Sequence, residues 1–126
     1  MACTAAVRQA VDVSIVDLAG RLTLGDGSCK LRDIVRDLIR RGERRILLNF
    51  HDVTFIDSAG LGELVGSYAN MVNQGGQIKL LHAGNKVADV LRVTKLSLVL
   101  ENFADEAEAM QSFARRTGRV DTGGRY

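Results

Sequence analysis

The stretch ILLNFHDVTFIDSAGLG, residues 46–62, contains the clearest structural pattern in the chain. Residues 46–50 form a continuous apolar run, which is typical of a strand buried on both faces. Polar residues follow from His51 to Asp57, and a helical apolar pattern then runs from Leu61 to Val72. The stretch therefore predicts a buried strand, a connecting loop over 51–57 and a helix.

The residues before this unit predict two more strands and another helix. Residues 11–15 alternate apolar and polar and the pattern continues to Gly20, which predicts a strand, partnered by an earlier one around residues 6–9. A turn over 25–28 precedes a helix that ends at Arg40, Arg41 and Gly42. The apolar residues of this helix recur at helical spacing: Leu31, Ile34, Val35, Leu38 and Ile39.

The residues after the unit continue the alternation of strands and helices. Strands are expected over 77–81 and 98–100, a short helix capped by Asn85 between them, and a last helix opened by Asp105 and Glu108. Such alternation predicts an α/β fold: a mostly parallel mixed sheet of about five strands, with one antiparallel edge strand from the amino end, and four helices. We expect one domain over 6–114, an extension over 1–5 and a flexible tail over 115–126.

Composition narrows the class of protein. The chain has 126 residues, 46% hydrophobic and 25% charged, with a net charge of +2 and 5% aromatic residues. These values fit a single globular domain and argue against a surface for nucleic acid or anionic lipid. No apolar run is long enough for a membrane helix. Two scattered cysteines, Cys3 and Cys29, are too few for a disulfide scaffold, so we expect a reduced, cytoplasmic protein.

The start of the predicted helix after residue 57 is the most unusual place in the chain. Asp57 and Ser58 precede Gly60, Gly62 and Gly66, and each glycine inside a helix costs roughly 1 kcal/mol relative to alanine. One interpretation is that Asp57 or Ser58 is only the helix cap and that the small residues permit tight packing. The other is that Ser58 is an exposed hydroxyl at a helix amino end, where a phosphate would be favoured.

Enzyme motifs do not fit this stretch. Ile56 stands where a nucleophile elbow needs glycine, and the glycine spacing misses the dinucleotide fingerprint. His51 and His82 follow strands, but two such histidines are no evidence for a triad with Ser58. The few cysteines and histidines are scattered, so no metal site is predicted. We expect no catalytic residue and no cofactor.

The basic run over 40–45 has a simple interpretation as well. Two arginines end a helix and two flank the entry to a strand, which is typical of a solvated rim. We therefore expect no direct binding of nucleic acid.

Asn49 and residues 53–62, VTFIDSAGLG, resemble the signature of STAS domains, the anti-sigma-factor antagonists of bacteria. Three flanking features agree with this resemblance: AGRL over 19–22, Gly75–Gly76 before a strand, and LRVTKL over 91–96. The resemblance covers about residues 6–114.

The resemblance implies a cytoplasmic phosphoprotein that regulates transcription by partner switching. Unphosphorylated, such a domain binds an anti-sigma factor that is also a serine kinase; phosphorylation of the serine in the motif, here Ser58, releases it, and a serine phosphatase resets it. The resemblance also implies the partner-binding residues, which are Thr23, Asp26, Asp57, Ser58, Ala59, Gly60 and Gly62. Gly60 and Gly62 would admit the partner's backbone.

One position departs from the family pattern. Many members have aspartate directly after the Gly-x-Leu of the second strand, and this chain has Thr23, with Asp26 as the nearest acid. Two alternatives therefore stay open: a non-switching scaffold subunit in which Ser58 is only a cap, and a sensor of small ligands or nucleotides.

Overall fold

The structure, a computed structural model, describes residues 3–23 and 31–119, with side chains through residue 113. Five strands and four α-helices occur in these ranges, as the sequence predicted. The strands are β1 Thr4–Ala10, β2 Val13–Leu22, β3 Arg45–Ile56, β4 Gln77–Leu81 and β5 Asn102–Phe103. The helices are α1 Leu31–Arg40, α2 Ser58–Asn73, α3 Asn85–Val93 and α4 Glu106–Arg119, with a 3₁₀ turn at Leu96–Leu98.

The sheet has the order β1-β2-β3-β4-β5. The edge strand β1 pairs with β2 antiparallel, and the other neighbours are parallel. The mostly parallel sheet with an antiparallel first strand is thereby confirmed. The pairing of β2 with β3 shifts register on either side of Gly20, whose φ of 99° glycine adopts without strain.

Both faces of the central strands are covered, which explains the continuous apolar run of β3. Ile46, Leu48 and Phe50 join the larger core beneath α1, α2 and α3. Leu47 points to the opposite face and packs with Phe113 of α4. These four side chains of β3, from Ile46, Leu47, Leu48 and Phe50, are fully buried.

A buried lysine fixes α4 to the sheet. Lys79 in β4 is 3% exposed, and its ammonium donates to Ser112 Oγ at 2.7 Å and pairs with Glu101 at 3.2 Å. The same ammonium lies 4.8 Å from the ring centroid of Phe113. These contacts supply the partners that a buried charge needs.

Two predicted elements differ from the structure. Residues 51–56, expected as a loop, continue β3, because Val53 and Ile56 bury their side chains while β2 supplies backbone pairing. Residues 98–100, expected as a strand, are instead the last residue of the 3₁₀ turn and the two irregular residues after it. Leu98 is 79% exposed and Leu100 is buried, and the edge strand is β5. Asn85 is the first residue of α3, and Gly84 stands at its cap.

The expected boundaries also differ from the structure. Strand β1 begins at Thr4 and α4 continues to Arg119, so the folded part exceeds 6–114 at both ends, and residues 120–126 lie outside the described ranges. Asp105 does open α4, accepting from the Glu108 amide at 3.0 Å. Cys3 is buried and disulfide-bonded, contrary to the expectation of reduced cysteines; Cys29 lies outside the described residues.

A polar network ties the edge strand to the sheet and to α4. The Arg8 guanidinium donates to Asp17 at 2.6 Å and to Glu106 at 2.9 Å. Asn49 of β3 also donates to Asp17, at 2.8 Å. The hydrogen bond from Arg8, and then that from Asn49, hold the pKa of Asp17 below its ordinary value against the opposing effect of burial.

Replacement of Asp17 by asparagine should lower the free energy of unfolding at pH 7 by less than about 1 kcal/mol, since the pair is partly exposed. A carboxylate whose folded pKa is lowered stabilises the fold above its unfolded pKa, near 3.9, and this contribution disappears as pH falls through the folded pKa. The free energy of unfolding, measured with urea at pH 7 and below pH 4, should therefore change less with pH for Asp17→Asn than for the wild type. Asp89→Asn, at an exposed helical pair with Arg92, is the control; identical profiles for the two variants would contradict this role of Asp17.

Candidate functional site

Asp57 caps helix α2. Its backbone is extended, its Oδ1 accepts from the Gly60 amide at 2.8 Å, and its carbonyl accepts from the Leu61 amide at 2.8 Å. From the sequence, either Asp57 or Ser58 could cap the helix, and in the structure the cap is Asp57. The carboxylate thus neutralises part of the positive end of the helix dipole.

Ser58 is the first residue of α2 and is exposed. Its hydroxyl makes no hydrogen bond with any described residue, because Asp57 already serves as the cap. Removal or modification of this hydroxyl therefore leaves the start of the helix intact. The site offers an accessible hydroxyl on a rigid element.

The backbone of β2 packs directly against the start of α2. The Asp57 amide donates to the Leu22 carbonyl at 3.3 Å. A Cβ built on Gly60 would lie 2.0 Å from the same carbonyl oxygen, closer than any side chain tolerates. Gly60 is buried, and its missing side chain makes room for the Leu22 carbonyl. The expected contact of Gly60 with a partner's backbone stays a prediction.

This junction brings Thr23 to the site, because Thr23 directly follows Leu22 and is half-buried. Ala59 is also half-buried, beside Ser58 on the first turn of α2. Asp26, the nearest acid to the position of the family's usual aspartate, lies outside the described residues.

The other two glycines of α2 have different surroundings. A Cβ on Gly66 would meet the flexible Arg32 side chain at 2.7 Å. A Cβ on Gly62 would meet nothing within 4 Å, and Gly62 is exposed one turn after Ser58. Among the described residues, no packing requirement explains a glycine at position 62.

The two histidines lie beside each other, His51 within β3 and His82 directly after β4. Their ring centroids are 5.4 Å apart, and His51 Nδ1 is 3.0 Å from Asp52 Oδ1. His51 sits within β3, well before Ser58 begins α2, so the described contacts form no triad. No cluster of three or more metal-ligating residues occurs within residues 3–23 and 31–119.

The arginines of the basic run make contacts within the chain. Arg40 and Arg41 pair with Asp37, and Arg45 pairs with Asp12. Arg44 donates to the carbonyls of Ile39 and Gln74. Such contacts are typical of arginines at the end of a helix and at the start of a strand.

Sequence reasoning missed two features near the site. One is the Leu22 carbonyl, because a backbone atom far away in sequence leaves no local pattern. The other is an exposed pair at the end of the β2–β3 ribbon, where the Arg21 guanidinium lies 4.9 Å from the Phe55 ring centroid and Phe55 is 40% exposed. Arg21 pairs in register with Phe55, which adjoins the strand end before Asp57.

Comparison with known proteins agrees with this architecture. A family model of the STAS domain matches residues 4–109, and the chain belongs to this family. The anti-sigma-B factor antagonist of Bacillus subtilis is 29% identical over 97 residues, which cover 76% of this chain and 86% of that protein.

Solved structures share the fold. An anti-sigma factor antagonist from Mycobacterium paratuberculosis superposes with a TM-score of 0.77 at 17% identity, covering 88% of this chain and 93% of that chain. The Bacillus cell fate determinant SpoIIAA in its phosphorylated form superposes with a TM-score of 0.70 at 21% identity, covering 87% and 99%. No helix in the described part of the chain has the length and apolar character needed to cross a membrane.

Substitution by alanine should have opposite effects on stability at Gly60 and at Gly62. Gly60→Ala should lower the free energy of unfolding by about 1–3 kcal/mol, because the new methyl group overlaps the Leu22 carbonyl. Gly62→Ala should raise it by about 1 kcal/mol, because alanine favours the helix and meets no neighbour. Urea denaturation of both variants and the wild type measures the difference. A Gly60→Ala protein as stable as wild type would be inconsistent with the junction described above.

Proposed function

We propose that this protein is an anti-sigma-factor antagonist that binds an anti-sigma factor with serine kinase activity, and that phosphorylation of Ser58 releases it. The observation that carries the proposal is the exposed Ser58 hydroxyl, unbonded among the described residues, at the start of a helix that Asp57 already caps. In this role the chain is a cytoplasmic binding protein and substrate of a kinase, not an enzyme.

The geometry favours a switch that acts through surface charge. A phosphate on Ser58 would lie at the amino end of α2, where the dipole favours an anion by roughly 0.3–1 kcal/mol. The adjacent Asp57 carboxylate opposes the added charge, and its bond to the Gly60 amide still holds the helix start. The phosphate would therefore change the surface that a partner meets without reshaping the fold.

The relatives support the proposed partners. The similar protein of Bacillus subtilis is named for its antagonism of an anti-sigma factor, and the SpoIIAA structure records a phosphorylated form. A kinase that is also the anti-sigma factor, and a serine phosphatase that removes the phosphate, complete the proposed circuit. The described residues proposed to contact the partner are Thr23, Asp57, Ser58, Ala59 and Gly62, and Asp26 is proposed to extend this surface.

Thr23 is the position at which a kinase would distinguish this chain from the many family members that have aspartate there. It lies next to the Leu22–Asp57 contact, so an acid at this position would stand close to the phosphorylated hydroxyl. The Thr23 side chain is neutral, so within the described residues the acid at this site is Asp57. A kinase that recognises this domain must therefore accept a less acidic surface.

Mass spectrometry tests the modification first. After incubation with lysate of the source cells and magnesium ATP, the intact wild-type protein should gain one phosphate and Ser58→Ala should gain none. Thr54→Ala removes another exposed hydroxyl, from β3, and should still be phosphorylated. A wild-type protein that gains no phosphate, in lysate that phosphorylates other antagonists, contradicts the switch; gain by Thr23→Asp under the same conditions would locate the cause at Thr23.

Binding to the captured kinase tests the consequence. Ser58→Ala should bind as wild type does, whereas Ser58→Asp should bind at least about tenfold more weakly, equivalent to about 1.4 kcal/mol. Equal binding of Ser58→Asp and wild type would favour a scaffold without a switch.

Gly62 provides a separate test of the contact surface. Gly62→Ala should weaken binding to the same kinase by about 1–3 kcal/mol, because a methyl group would separate two closely packed backbones. Its folded state should at the same time be more stable than wild type. Unchanged affinity, measured by calorimetry, would remove Gly62 from the interface.

A further inference from the structure

The two edges of the sheet are protected to very different degrees. The edge strand β5 has only two residues, so it offers almost no backbone for pairing. The edge strand β1 has seven residues, and all but Ala10 are exposed. The described residues place no second strand beside β1, since β2 is its neighbour and β1 ends the sheet.

Most of the devices that blunt an edge strand are missing from β1 within the described structure. The chain contains no proline, and β1 contains no lysine and no acid. Its pairing with β2 is regular from Thr4 to Ala10, without a bulge. Its one charge, on Arg8, is held by Asp17 and Glu106 and so does not repel an approaching strand.

We propose that β1 pairs antiparallel with β1 of a second copy of this chain, about a two-fold axis at Val7, to form a dimer with one continuous sheet. The sequence of β1 is self-complementary in this register, TAAVRQA against its reverse. Val7 faces Val7, Ala6 faces Arg8 and Ala5 faces Gln9, so no like charges stand opposite each other. Val7 is 45% exposed in the single chain and becomes covered in the dimer.

The proposed contact is small, and this sets the kind of dimer expected. A single pair of edge strands buries less area than a permanent interface requires, so association should depend on concentration. The proposal does not depend on the function proposed for Ser58, which lies at the start of α2, and Ser58→Ala should associate as wild type does.

Sedimentation tests the surface. The weight-average mass of the wild type should rise with concentration from 13.7 kDa toward twice that value. Val7→Lys should remain monomeric, because it brings two like charges together at the axis. Val93→Lys adds the same charge to an exposed valine on α3 and should associate as wild type does. A monomeric wild type at every concentration, or equal association of the two lysine variants, overturns the proposal.

Disulfide trapping tests the register of the two β1 strands. This test remains valid even if Val7→Lys fails to fold. Residues that face each other in antiparallel strands have Cα atoms about 4.5–5.5 Å apart, within reach of a disulfide. Under mild oxidation, Val7→Cys should therefore form a dimer linked through the two introduced thiols, identified by mass spectrometry of the linked peptide. Ala5→Cys is the matched control, because position 5 faces Gln9 of the second copy and its introduced thiols should not link to each other. Equal linking by the two variants, or linking by Ala5→Cys alone, overturns the register.

Discussion

The backbone carbonyl of Leu22 is the atom on which the position of the candidate site depends. It accepts the Asp57 amide and occupies the space that a side chain at Gly60 would fill. This single contact joins the end of β2 to the start of α2. Because β2 and β3 also pair side by side, the junction is held from two directions, and both Thr23 and Ser58 are fixed relative to the sheet.

The rigidity of this junction bears on how a switch can work. A helix start whose cap is Asp57 and whose packing is set by Gly60 has little freedom to move when Ser58 is modified. A phosphate would then act on a partner mainly by its charge and size. Removal of the hydroxyl should correspondingly leave the recognition surface in place, which separates loss of modification from loss of binding.

The sequence predicted those parts of the fold that local patterns encode. Residues 77–81 form β4 as predicted, because a short buried strand has a clear apolar signal. Residues 51–56 were assigned to a loop because His51 and Asp52 are polar, yet only Val53 and Ile56 there need burial once β2 provides the backbone partners. The strand predicted from the apolar run at 98–100 was wrong for the opposite reason: Leu98 is apolar and yet remains exposed, in a 3₁₀ turn.

The candidate site shows the same division between local and distant causes. Ser58 could be singled out from its own neighbours, because an acid, a hydroxyl and several glycines at a helix start form a local pattern. The different roles of Gly60 and Gly62 could not be separated in this way: one faces the Leu22 carbonyl and the other faces open space. A glycine that the fold requires and one that it does not require look identical in sequence, and only the second leaves an unexplained destabilisation of the helix. That destabilisation, at an exposed position one turn from Ser58, is the reason for proposing Gly62 as a point at which a partner approaches.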